Sequence, residues 1–542
     1  MEKLIFIGGE AGQGIAKSAE VLGKSFTRQG YYVFNYREYG SLIRGGINFN
    51  IIKVSDEPVF SHEWKAEYFL ALTSRVLNEF KNLKRGISIS AGVKGADFVV
   101  DTEKILKELG APRIVANSVL LGALYKAMKL NLEPLLEVMD EEFGKVAEIN
   151  KRAARKGYEV YEGRTIELFK PRSKNPKYFI SGSQAIALGA LASGIDLYIA
   201  YPMTPATPVL HILAGMQKEH GIKVFQPENE IAVVNAALGA SYAGAITMVG
   251  TSGGGFALMS EALSLQGCSE IPLVVYLAMR TGPSTGVPTY TGQSDLRFAL
   301  HAGHGEFPRV VLAPGDPKEA FERTMEAFYL AYKYRVLSII LADKHVAEST
   351  FSFDSLPNPR VHPGRFLVEA GEGYKSYEIT SNGISPRAAP GRHGIVRATS
   401  YEHDEEGYTV EDSESIKRMV EKRLRKGESL KKEIMSLEPI KVYGSGENVI
   451  ISWGSTKGAI VDALKKLPDY KFIQIYYLEP FPADLVREEL EGAKRIIAVE
   501  NSATCMIADL IRQHTGIEVE KKIVKYDGRP FSSEEILEGV RR

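Results

Sequence analysis

Tyr201-Pro202-Met203-Thr204-Pro205-Ala206-Thr207 closes the apolar run Leu197-Tyr198-Ile199-Ala200, and Pro227-Glu228-Asn229-Glu230 follows at the head of an Ala-rich stretch. Each proline fixes its own φ and restricts the residue before it, so Thr204 presents a hydroxyl on a loop stiffened at both ends. A strand, a stiff loop, a second short strand (KVFQP) and a carboxylate where a helix begins form a pattern. It is that of a ligand site at the carboxyl ends of parallel strands.

Working outward, DLYIAYP, KVFQP, AITMVGTS, PLVVYLAMR, RVVLAPG and LSIILAD alternate with helical stretches across 178–353. Such alternation predicts a doubly wound, largely parallel sheet. Upstream, KLIFIG, a glycine turn, a helix and YYVFNY make a βαβ opening to an α/β domain over 1–170, and 171–177 (PRSKNPK) is a linker. Residues 354–440 lose period in Pro-, Gly- and charge-rich sequence. They are predicted as an irregular connecting arm that ends in a charged, solvated helix. A last α/β domain spans 441–542, beginning at NVIISWGST. The fold class is therefore multi-domain α/β.

Composition narrows the function. Lys+Arg and Asp+Glu both number 67, so no basic excess argues for nucleic acid. Cys268 and Cys505 stand far apart, which rules out CxxC-type metal or iron–sulfur spacing in this chain and predicts no resident metal. The chain opens directly on a strand and a glycine turn, and no uncharged apolar run reaches the ~20 residues that span a bilayer. These features predict a cytoplasmic protein with no membrane association.

Glu230 has two readings: a carboxyl serving a cofactor, or a helix N-terminal glutamate favoured by the helix dipole. Thr251-Ser252-Gly253 and the glycines after it follow the strand ITMVG, which allows close backbone approach to a ligand. Arg280 ends PLVVYLAM, where a guanidinium can pair with a carboxylate. Thr204, Glu230, Thr251–Gly253 and Arg280 thus fall at successive strand ends. His304, without a second ligand at metal spacing, is read as shaping a substrate pocket. The N-terminal Gly8-Gly9-Glu10-Ala11-Gly12-Gln13-Gly14 is either a phosphate cradle or a turn serving packing. With Arg37 and Arg44 nearby, Gly12 and Gly14 are candidates for a coenzyme A or anion loop.

YPMTPAT, QPENEIAVVNAALGASYAGA, TSGGGFALMSEAL, AMRTGPSTGVPTYTGQSDL, GHGEFPRVVLAPGD and EHDEEG together resemble the α chain of the 2-oxoacid:ferredoxin oxidoreductases. GGEAGQGI and REYGSLIRGG resemble that family's γ chain, fused here ahead of α. SWGST, LEPFP and AVEN resemble a transketolase C-terminal domain. The resemblance implies a γ-type domain, a thiamine-diphosphate-binding pyrimidine domain and a transketolase C-terminal-like domain. It also implies thiamine-dependent oxidative decarboxylation of a 2-oxoacid, 2-oxoglutarate above others, to acyl-CoA and CO2 with electrons to ferredoxin. Glu230 would then serve the aminopyrimidine, with Tyr201, Pro202, Thr251, Ser252 and Gly253 around the cofactor, and Thr204 and Arg280 would hold the substrate.

The chain lacks a Gly-Asp-Gly followed by Asn, and Asp527-Gly528 leads into Arg529-Pro530. The resemblance therefore places Mg2+, the diphosphate site and a [4Fe-4S] cluster on a partner β chain, in an αβ or (αβ)2 assembly with CoA as co-substrate. Three other readings stay open at this stage: pyruvate or broad-range specificity, a non-redox thiamine enzyme, and a non-catalytic nucleotide-binding or regulatory subunit.

Overall fold

A computed structural model describes residues 1–41, 46–391 and 394–542. The chain divides into two compact units, Met1–Ser181 with Glu348–Leu356 and Phe531–Glu538, and Gly182–Ala347 with Pro357–Pro530 and Gly539–Arg542. Among the described residues no helix is long and apolar enough to cross a membrane.

The first unit holds an eight-stranded mixed sheet. Its strand Glu2–Glu10 is buried on both faces because successive side chains alternate. Leu4 and Phe6 enter one apolar cluster, while Ile5 and Ile7 enter the other with Leu22 and Phe26 of the helix Ile15–Arg28. The strands Glu2–Glu10 and Tyr32–Glu38 of the predicted βαβ opening do not pair directly. The strand Ile47–Ser55 lies antiparallel between them. The strand Thr350–Phe353 also joins this sheet, beside Tyr32–Glu38 and Tyr178–Ser181.

The second unit is built on a seven-stranded sheet. Six strands are parallel, in the order Arg309–Leu312, Leu337–Asp343, Leu273–Met279, Thr247–Thr251, Leu197–Ile199 and Lys223–Phe225. Strands covered by helices on both faces read as continuous apolar runs, and LVVYLAM of Leu273–Met279 is buried throughout. From Leu197–Ile199 the chain winds first to Lys223–Phe225 on one side and then to Thr247–Thr251 on the other. That reversal is a topological switch point.

A five-stranded sheet from 440–524 completes this unit. Its module lends the strand Tyr477–Glu479, antiparallel, to the edge of the seven-stranded sheet. Lys457 of the module bridges Asp316 and Glu319 in the interior. Gln474 Nε2 donates to the same Glu319 at 2.7 Å.

The irregular arm is fastened to this unit rather than trailing from it. Arg365 makes a bidentate pair with Asp196 at 2.5 and 2.7 Å, and Tyr242 Oη donates to the Val396 carbonyl at 2.8 Å. The helix Ser413–Met435 that follows corrects the solvated reading of its sequence. Lys422 and Lys426, one turn apart, are buried and bracket the carboxylate of Glu270 at 2.5 and 2.7 Å. Burial alone raises a carboxyl pKa, but Lys426, Lys422 and Arg335 hold that of Glu270 well below the ordinary range.

Removing one member of a buried ion cluster strands the others. Glu270→Gln is expected to cost about 3–5 kcal/mol, read as a lower unfolding midpoint in urea followed by circular dichroism. Because the folded-state pKa is depressed, the contribution of Glu270 is present above its unfolded value and lost as pH falls toward the folded one. The variant's midpoint should therefore fall less steeply than the wild type's on acidification below about pH 4.5.

Candidate functional site at the switch point

The Tyr-Pro loop leaves the strand Leu197–Ile199 and turns into the helix Thr207–His220, with Tyr201 and Pro202 exposed and Thr204 half-buried. Arg280, one residue past the strand Leu273–Met279, donates from Nη1 to the Thr204 carbonyl at 2.8 Å. Two strand ends are thereby tied across the crevice.

Glu230 is 3 % exposed at the first turn of the helix Glu230–Tyr242. Capping falls to its neighbour: Asn229 Oδ1 accepts from Ala232 N at 3.0 Å. Glu230 Oε1 is buried with no hydrogen-bond partner. The helix dipole favours a carboxylate at this position without any hydrogen bond, so both readings of Glu230 are compatible with the orphaned oxygen. Buried polar atoms are nearly always paired. Ser252 Oγ and Arg280 Nε are orphaned in the same way at this rim.

Thr251 ends the strand Thr247–Thr251, Ser252 is the N-cap residue, and Gly253 opens the helix Gly253–Ser269. The glycines here make room for neighbours. A Cβ on Gly255 would lie 2.1 Å from Thr251 Oγ1 and 2.4 Å from Glu230 Oε1. One on Gly253 would lie 2.5 Å from Asp295 Oδ2. Thr204, Arg280, Asp295, Gly253, Gly255, Thr251 and Glu230 therefore form one continuous arc at the switch point.

Asp295 is the member that the sequence reading missed. Burial pushes its carboxyl up to about 6, against the opposing pull of Ser294 and Arg280. It sits at the start of the short helix Leu296–His301 and accepts no capping bond there, so in sequence it looks like an ordinary cap.

His304 is not part of the arc. Its Nδ1 lies 2.9 Å from Ser264 Oγ. Ser264 stands eleven residues along the helix from Gly253, about 16 Å at 1.5 Å per residue. His304 instead lines a separate cavity of about 690 Å3 with Asn235, Tyr242, Ser400 and Arg423. Among the described residues no group of three or more His, Cys, Asp and Glu side chains is placed to hold a metal ion.

In the first unit, Gly12 and its turn line a cavity of about 900 Å3 with Lys94, Asp101, Glu103 and Arg113. Gly14 caps the helix Ile15–Arg28 in the left-handed region, φ 75°, as glycine tolerates. Beside it, Asn117 Nδ2 donates to the Gln13 carbonyl while Asn117 Oδ1 is buried without a partner. The Arg37 guanidinium lies over the Tyr39 ring at 4.4 Å and does not line this cavity. Arg44 lies outside the described residues. Among the described residues the cations lining the cavity are Lys94 and Arg113, which carry no motif in sequence.

With this geometry in hand, comparison with known proteins is informative. Residues 188–422 match the family described as "Pyruvate flavodoxin/ferredoxin oxidoreductase, thiamine diP-bdg". Residues 4–160 match "Pyruvate ferredoxin/flavodoxin oxidoreductase". The chain is 33 % identical to the 2-oxoacid:ferredoxin oxidoreductase subunit alpha of a Sulfolobus species, over 98 % of this chain and 96 % of that one. It is 32 % identical to the 2-oxoglutarate oxidoreductase subunit KorA of Mycobacterium tuberculosis, over 73 % of this chain and 63 % of that one. A solved 2-oxoglutarate:ferredoxin oxidoreductase from Magnetococcus marinus, with 2-oxoglutarate, coenzyme A and succinyl-CoA bound, superposes with a TM-score of 0.90 at 30 % identity. That match covers 100 % of this chain and 99 % of the other.

The close approach at Gly255 generates a test. Gly255→Ala must displace Glu230 or Thr251 and is expected to destabilise by about 1–3 kcal/mol, as overpacked positions do. A Cβ on Gly254 meets nothing within 4 Å, so Gly254→Ala should be neutral or gain up to about 1 kcal/mol of helix propensity. Thermal unfolding of the two variants side by side checks the contrast.

Proposed function

Because the chain belongs to the family of 2-oxoacid:ferredoxin oxidoreductase alpha subunits, we propose that its switch-point crevice is one half of a thiamine diphosphate site acting on 2-oxoglutarate. The observation that carries this reading is the orphaned, buried Glu230 Oε1 beside a glycine-lined gap. A desolvated carboxyl lacking a partner fits a ligand that offers a ring nitrogen, as the thiamine aminopyrimidine does. When bound, thiamine supplies the carbanion that attacks the 2-oxo carbon and holds the electron pair released with CO2.

The chain's own residues frame that chemistry. Glu230 holds or moves the proton at the aminopyrimidine nitrogen. Tyr201, Pro202, Thr251, Ser252 and Gly253 wall the cofactor. Arg280 and Thr204 fix the substrate carboxylate. Overall, 2-oxoacid and CoA give acyl-CoA, CO2, one proton and two electrons, and the electrons leave to ferredoxin. His304 is left out of the substrate set, since it bonds along the helix to Ser264. CoA phosphate is assigned to the first unit's cavity, with the Gly12 turn, Lys94 and Arg113. The choice of 2-oxoglutarate rests on the relatives named above.

Mg2+, the diphosphate site and a [4Fe-4S] cluster are assigned to a partner β chain, because this sequence lacks the motifs for them. The surface beside Glu230 suits such a partner. Ile231 and Leu258 are 49 and 50 % exposed on the two helices that flank the crevice, next to exposed Gly239, Gly254 and Ala257. The module division given by the sequence, with a γ-type domain first, a pyrimidine domain second and a transketolase C-terminal-like domain last, is part of the same proposal.

The test is anaerobic co-purification with the β-type chain and CoA-dependent viologen reduction by 2-oxoglutarate, pyruvate and a branched 2-oxoacid. Reduction should need both chains and be fastest with 2-oxoglutarate. It should fall by about 10²–10⁴ in Glu230→Gln. A complex that binds thiamine diphosphate yet reduces nothing would point to non-redox thiamine chemistry instead. On the partner face, Leu258→Lys should weaken association at least tenfold while leaving the isolated chain's unfolding midpoint unchanged, as analytical ultracentrifugation and circular dichroism would show.

A further inference from the structure

Arg280 and Asp295 stand in an unusual relation. The guanidinium is buried, with Nη1 on the Thr204 carbonyl and Nε without a partner. Burial lowers its pKa, and Asp295 is the group whose charge opposes that fall. The two are within electrostatic reach, yet no direct ion pair joins them among the described residues. The Asp295 carboxyl lies instead where a Cβ on Gly253 would come within 2.5 Å of its Oδ2, at the same rim, and accepts from Ser294 Oγ at 3.5 Å. A buried cation with an open donor beside a half-buried carboxyl leaves room for a second anion to claim the arginine.

Resting on the assignment of Arg280 to a 2-oxoacid carboxylate, we propose that Asp295 is the resident counter-charge of that arginine. When the substrate carboxylate takes Arg280, a proton from solvent joins the Asp295 carboxyl, so that binding is coupled to proton uptake. Two carboxylates sharing one cation in a desolvated site raise each other's pKa, so the weaker acid of the two takes up a proton first. A 2-oxoacid is a stronger acid than an aspartic side chain, so the proton goes to Asp295. Its O–H then becomes a donor facing the substrate, and the proton returns to water once the carboxylate has left as CO2.

The other charges nearby do not displace this assignment. On its own short helix Arg297 is paired with Asp509, which Lys522 also approaches at 3.6 Å. From the facing helix Glu230 is turned toward Gly255 and Thr251. From the strand end only Arg280 acts on Asp295. The carboxyl starts near 6, pushed up by burial, so it is mostly ionised at neutral pH and must be neutralised for the substrate to bind. The expected sign is therefore weaker binding as pH rises above about 6, approaching tenfold per pH unit for one linked proton.

Isothermal titration of the anaerobic two-chain complex with N-oxalylglycine, a 2-oxoglutarate analogue whose carboxyl does not leave, tests this in buffers of different ionisation enthalpy. Wild-type complex should take up most of one proton per site at pH 7, with affinity falling from pH 6 to 8. Asp295→Asn should take up almost none, show a flat profile and bind at least tenfold more tightly at pH 8. No proton uptake by the wild type overturns the proposal, and this arm stands even if the variant fails to fold. Uptake unchanged in Asp295→Asn, with binding lost in Arg280→Gln, also overturns it while sparing the carboxylate assignment. Binding indifferent to Arg280→Gln removes that assignment and the proposal together.

Discussion

The reversal of winding between Leu197–Ile199 and Thr247–Thr251 is the constraint from which the rest of the second unit follows. Parallel strands send every carboxyl end to the same rim, and right-handed crossovers place consecutive helices on one face until the direction changes. At the change, neighbouring loops diverge and leave a crevice. The Tyr-Pro loop and the Thr251–Gly253 turn are the two loops that diverge. Arg280 on the next strand reaches back to bind the first of them. Everything the site contributes chemically is hung on that rim.

The C-terminal module holds the rim still from a distance in sequence. Gln293, two residues before Asp295, exchanges hydrogen bonds with the Asn501 backbone at 2.8 and 2.7 Å and donates from Nε2 to the Trp453 carbonyl at 2.9 Å. Asn501 Nδ2 in turn reaches the carbonyl of Arg529 at 2.9 Å, and the Arg529 guanidinium lies over the Tyr290 ring at 4.4 Å. A long polar loop without local period would otherwise wander. Clipped at Gln293, it places the Asp295 carboxyl beside Gly253 of the glycine turn.

That clip explains what could and could not be read from the chain. Thr204, Thr251–Gly253 and Arg280 were legible because each stands at the end of an apolar strand, and Glu230 because it opens an Ala-rich helix. Asp295 was not, because its closeness to Gly253 depends on a fold-back fixed by residues far downstream. Lys94 and Arg113 escaped for the same reason, as loop cations brought together only by the sheet. The strand Thr350–Phe353 pairs with Tyr32–Glu38, a contact across more than half of the sequence that no local pattern announces. The helix Ser413–Met435 misled in the opposite way. Its charges look solvated until Glu270, at the end of a remote helix, is placed between two of them.

That buried cluster also bears on how the protein responds to heat. The cost of stripping water from charged groups falls as temperature rises, because their hydration carries a strongly negative entropy, whereas apolar burial gains little further. The arm that Lys422 and Lys426 anchor is thus held by an interaction that strengthens, relative to its surroundings, on warming. Its attachment to the end of the helix Gly253–Ser269 should lose less on warming than the apolar packing around it.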